Sequence, residues 1–126
     1  MILIYGGAYQ GKLDFARENY FIIESDIFNC ADDSINIDFS KKCINGYHKF
    51  IFSQIKAEQD SVGFVKENLV KFKDKIIICD DISAGVVPIS AETRLWRETV
   101  GRCATLLSKN SHEVWRIFCG IGTRLK

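Results

Sequence analysis

The chain has 126 residues, 47% of them apolar and 26% charged, with a net charge of +1. That balance suits one globular domain spanning 1–126, with a core large enough to stand without covalent staples. It gives no electrostatic basis for binding nucleic acid or an anionic membrane surface, and no apolar stretch reaches membrane-spanning length.

Met1 runs directly into Ile2-Leu3-Ile4, without a basic segment or a long apolar core, so no secretory signal is expected. The five cysteines, at 30, 43, 79, 103 and 119, are odd in number and show no C-x-x-C spacing. They read as free thiols of a reducing, cytoplasmic setting. Cys79 and Cys119 lie within apolar runs and are expected in the core.

Residues 1–5 are wholly apolar and stop at Gly6-Gly7, as a buried strand of a parallel sheet does. Lys12 to Tyr20 mixes Leu13, Phe15, Ala16 and Tyr20 with charges and reads as a helix. Phe21-Ile22-Ile23 reads as a second strand, and 24–38 as an acidic, turn-rich stretch. A helix is expected from about Phe39 to Glu58, on Ile44, Tyr47, Ile51 and Ile55, with Gly46 as its weak point. Asp60-Ser61 can cap another carrying Val62, Val65, Leu69 and Phe72. Lys75 to Asp80 is the clearest strand. After a loop through Gly85 and Pro88, Ser90 can cap a helix from about Ala91 to Lys109. Glu113 to Cys119 is the last strand, broken by Gly120-Ile121-Gly122. Strands alternating with helices predict a three-layer α/β fold with a mostly parallel sheet.

The segment Gly6-Gly7-Ala8-Tyr9-Gln10-Gly11-Lys12 fits G-x-x-x-x-G-K between a strand and a helix. Glycines in such a loop let several N–H groups converge on one anion. The helix N-terminus adds partial positive charge, and a lysine a full one. Gly6 through Lys12, with Leu13, are therefore the candidate nucleotide-binding residues. Leu13 stands where the motif places a magnesium-ligating hydroxyl, so anion binding is expected to survive better than phosphoryl transfer. Asp80-Asp81 leaves the strongest strand on the carboxyl-end side, where ligands of open parallel sheets bind. Both are candidate Mg²⁺ ligands. They should point to opposite sides, so only one should face the phosphates.

The C-terminal half carries a resemblance. Ile77 to Pro88 resembles the N-E-V-G-x-G-I-V-P segment of the adenosylcobinamide kinase/adenosylcobinamide-phosphate guanylyltransferase family. Leu95 to Arg102 resembles its F-R-D-x-x-G-R helix. Glu113 to Gly120 and Leu125-Lys126 resemble its ending, and Gly6 to Lys12 its G-G-A-R-S-G-K-S loop. The resemblance implies a P-loop domain of RecA-like build that assembles as a homo-oligomer, a trimer. It implies a role in cobalamin biosynthesis: transfer of phosphate from ATP or GTP, with Mg²⁺, to the side-chain hydroxyl of adenosylcobinamide. It also implies Lys12, Asp81 and Arg97 as catalytic residues, with Arg102 on the same helix.

In that family guanylyl transfer passes through a histidine in an R-I-x-x-H-x-x-x-R-P segment, which has no counterpart here. The two histidines, His48 and His112, lack that surrounding, and His48 reads as a helix-surface or partly buried residue rather than a nucleophile. The kinase reaction is therefore the leading expectation. The alternative is a degenerate module that holds nucleotide or corrinoid without turnover.

Overall fold

The structure is a computed structural model that describes residues 1–83, 85 and 88–126. Ala84, Val86 and Val87, part of the segment compared above, lie outside the described residues. The elements in chain order are β1 (Ile2–Gly6), α1 (Lys12–Tyr20), a 3-10 turn (Glu24–Asp26), β2 (Ile27–Asn29), β3 (Cys43–Asn45) and α2 (Tyr47–Lys56). There follow α3 (Ser61–Glu67), α4 (Leu69–Phe72), β4 (Ile76–Asp80), α5 (Ala91–Asn110), β5 (Glu113–Phe118) and β6 (Ile121–Arg124).

The six strands form one sheet in the order β2-β3-β4-β1-β5-β6. All neighbours pair in parallel except β5 with β6. Because side chains alternate along a strand, the apolar runs of β1 and β4 feed two cores. Leu3, Ile77 and Cys79 pack with Tyr47, Phe50, Val65, Phe72, Val100 and Leu107, so α2, α3 and α5 cover one face. Ile4, Ile76 and Ile78 pack with Ala16, Ile22 and Ile117, which puts α1 on the other. The three-layer, mostly parallel α/β fold is therefore as expected.

Four local expectations are corrected. Phe21-Ile22-Ile23 is not a strand: Phe21 takes the left-handed conformation that ends α1 (φ 54), and only Ile22 of the three is buried. The strand begins later, at Ile27. The helix expected from Phe39 to Glu58 is divided, because Gly46 (φ 81) turns the chain between β3 and α2. The helix expected after Asp60 is capped by the Asp60 side chain, which accepts the Gly63 N–H at 3.0 Å, but Asn68 splits it into α3 and α4. The break after β5 is a hairpin: Cys119 (φ 50) and Gly120 (φ 76) turn the chain into the antiparallel β6. This leaves Cys119 exposed rather than in the core, while Cys79 is buried as expected.

Candidate functional site

Strand alternation decides which groups meet at the carboxyl end of β4. Asp80 shares the face of Ile76 and Ile78, toward α1, and its Oδ1 lies 2.7 Å from Lys12 Nζ. Asp81 leaves on the other face. There it accepts from the Ser83 hydroxyl at 2.5 Å, the Ser83 N–H at 2.9 Å and the Tyr5 hydroxyl at 3.4 Å. Burial works to raise the Asp81 carboxyl, but these hydrogen bonds outweigh it and hold the pKa below its usual value.

Lys12 is 6% exposed, a low value for a lysine, because its ammonium is doubly held. Besides Asp80 it donates to the Gly7 carbonyl at 2.5 Å. The loop from Gly6 to Gly11 thus curls back over the lysine. Two of its glycines are dictated by packing. A side chain at Gly6 would strike the Ile117 carbonyl of β5, and Gly11 is left-handed (φ 89) with its bare Cα side against Gly120. The loop is also tied to the β5–β6 turn. The Cys119 N–H donates to Gln10 Oε1 at 2.7 Å, and the Gly120 N–H to the Gln10 carbonyl at 2.8 Å.

A cleft of about 460 Å³ opens here, lined by Ala8 to Asp14 on one side and by Asn45, Gly46, His48, Lys49 and Asp80 across from them. His48, in the first turn of α2, is buried and lines this cleft, a place the sequence did not indicate. Its Nδ1 accepts the Asp80 N–H at 3.1 Å, so the neutral ring carries its proton on Nε2, 3.4 Å from Asp80 Oδ2. Burial depresses its pKa, against the pull of Asp80 in the other direction. The Trp96 indole of α5 donates to the His48 carbonyl at 2.7 Å and steadies that turn. Once 39–58 is divided at Gly46, His48 and Asn45 fall at the crevice; Gly46 was the signal.

Arg97 stands on α5. Its guanidinium donates to the Ser83 carbonyl and, at 3.4 Å, to that of Gly85. Asp81 and Arg97 therefore meet around Ser83. Arg102 pairs with Glu98 at 2.7 Å on the exposed side of α5. Leu13 packs against the core on the α1 side. Among the described residues, no three acidic, histidine or cysteine side chains group as a metal cluster, and no helix is long and apolar enough to cross a membrane.

A parallel sheet ordered 2-3-4-1-5, with a glycine-rich turn from β1 into α1 and a lysine beneath it, defines an α/β protein of the P-loop kind. A scan against protein-family models matches residues 33–125 to cobinamide kinase/cobinamide phosphate guanyltransferase. The chain belongs to this family, and through it to cobalamin biosynthesis, where the family's substrates are a nucleotide and a cobinamide. The matched stretch includes Asn45, His48, Asp80, Asp81 and Arg97; the loop from Gly6 to Lys12 precedes it. The curated proteins contain no match to this chain.

Proposed function

We propose that the protein binds a nucleoside triphosphate in the loop Gly6–Leu13 and transfers its terminal phosphate to the side-chain hydroxyl of adenosylcobinamide. The observation that carries this reading is the Lys12–Asp80 pair at 2.7 Å on the floor of the cleft. It supplies a cation for the β- and γ-phosphates beside a carboxylate. Mg²⁺ commonly uses one or two carboxylates together with substrate phosphates and water, and Asp80 fits that role, while Asp81 is occupied by Ser83 and Tyr5. Bound there, the ion would neutralise charge on the transferring group. His48 presents a neutral Nε2–H toward the same space. Asp81 and Arg97 act on the loop after β4.

Leu13 favours a second reading, binding without turnover, because its apolar side chain is spent on the core where a hydroxyl would anchor Mg²⁺. Incubation with γ-labelled ATP or GTP, Mg²⁺ and adenosylcobinamide separates the two. Label in the corrinoid is the result expected for a kinase; intact bound nucleotide supports the module. No binding of either nucleotide refutes both.

A further inference from the structure

We propose that His48 is a positioning residue that takes over the Asp80 carboxylate when an incoming polyphosphate draws Lys12 away from it. The inference rests on the nucleotide reading above and deepens it. Both ring nitrogens of His48 face a single residue. Nδ1 accepts the Asp80 N–H at 3.1 Å, and Nε2 lies 3.4 Å from Asp80 Oδ2. Lys12 holds the other oxygen, Oδ1, at 2.7 Å. The carboxylate thus sits between a cation that the ligand needs and a neutral donor that it does not.

That arrangement answers a cost that the Lys12–Asp80 pair creates. The Asp80 side chain is only 24% exposed, and it loses its counter-charge once Lys12 turns to a phosphate. A shielded charge without a partner is costly, so Asp80 by itself would hold Lys12 back. The Nε2–H of His48 offsets this. With Lys12 gone, the carboxylate can close the long 3.4 Å contact into a full hydrogen bond. The ring stays in place through the exchange, because Nδ1 is fixed on the Asp80 main chain and not on its carboxylate. His48 is 7% exposed, so water does not readily replace it. Lys49, the neighbouring cation on this wall, is exposed, and its charge is screened. The turn that carries His48 is held separately, through the carbonyl that accepts from Trp96.

The test measures tripolyphosphate and ATP affinity by titration calorimetry at neutral pH in metal-free buffer. The proteins are the wild type, His48→Leu, His48→Asn and His48→Gln, each with and without Asp80→Asn. Leu fills the space without a nitrogen. Asn keeps an acceptor near the place of Nδ1 but falls short of the carboxylate, and Gln keeps an N–H donor near the place of Nε2. Melting curves check that each variant folds. His48→Leu and His48→Asn are expected to weaken both ligands by about tenfold, the low end for a hydrogen bond to a charged group. His48→Gln should recover most of that loss. In the Asp80→Asn background none of the three should change affinity, because no charge is left to hold. Unchanged affinity in a folded His48→Leu or His48→Asn variant overturns the proposal. So does an equal loss in the Asp80→Asn background, which would mean that the ring only shapes the cleft, and so does a loss in His48→Gln as large as in His48→Asn. Failure of the wild type to bind either ligand refutes the nucleotide reading itself, a result distinct from the others.

Discussion

Lys12 and Asp80 hold their charged atoms 2.7 Å apart beneath the glycine loop, with the lysine almost wholly shielded from water. The carboxylate and the Gly7 carbonyl occupy the ammonium that would meet a phosphate. An incoming polyphosphate must therefore compete with Asp80 for Lys12.

Asp80→Asn should relieve that competition. In metal-free buffer the variant is expected to bind tripolyphosphate several-fold more tightly than the wild type. Lys12→Met should abolish binding. It should also lower stability by about 2 kcal/mol, less than the roughly 3–5 kcal/mol of a fully buried broken pair, because Asp80 keeps some solvent access. Calorimetric titration and urea melts measure both.

The glycines of the loop should separate by cause. Gly6→Ala forces a methyl group against the Ile117 carbonyl and is expected to destabilise by about 1–3 kcal/mol. At Gly7 the nearest atom to an added Cβ is the flexible Gln10 Cγ at 3.6 Å, so Gly7→Ala should leave the melt within about 0.5 kcal/mol of wild type. Chemical denaturation of the two variants checks this.

His48 should leave a mark on stability against pH. Its pKa is depressed by burial in the folded chain, with Lys49 and Lys12 adding to the effect and Asp80 and Asp32 opposing it. The unfolded chain therefore takes up the proton first. Stability from this group is full above the ordinary value of 6.5 and falls as pH drops below it, levelling once the folded pKa is passed. The slope cannot exceed about 1.4 kcal/mol per pH unit for one proton. Asp81 and Glu113, whose pKa values are also lowered, lose stability only at more acid pH, below the ordinary carboxylate range. His48→Gln should flatten the curve just below pH 6.5 and leave the acid limb in place, as read from urea melts across pH.

The thiols should divide one against four. Burial pushes Cys30, Cys43 and Cys103 up to about 12 and raises Cys79 as well. Cys119 is exposed at the hairpin turn. A thiol reagent at neutral pH should label one cysteine quickly in the native protein and all five after denaturation. Cys119→Ser should remove the fast phase.

The sequence disclosed those parts of the fold that long, uniform runs encode. β1, β4 and β5 each carry an unbroken apolar or alternating stretch, and α1 and α5 carry caps or periodicity; all were legible. The strands β2 and β3 were not, because each has three residues and only Cys43-Ile44 is fully buried on both faces in β3. Their identity comes from pairing, β3 with β4 and β2 with β3, which no local pattern records. The apolar run at 21–23 misled, since Phe21 and Ile23 face solvent after a left-handed turn. In the site, the loop and the divergence of Asp80 from Asp81 followed from motif and strand period. His48 did not, because its place depends on the break at Gly46. The exposure of Cys119 likewise depended on a hairpin that Gly120-Ile121-Gly122 concealed.

The most direct test of the phosphate cradle is an amide NMR titration of the ¹⁵N-labelled protein with ATP. The account predicts the largest shift changes at the amides from Ala8 to Leu13, lost in Lys12→Met. Shifts absent from that loop, or confined to the separate cleft between Glu58 and Arg102, would contradict it.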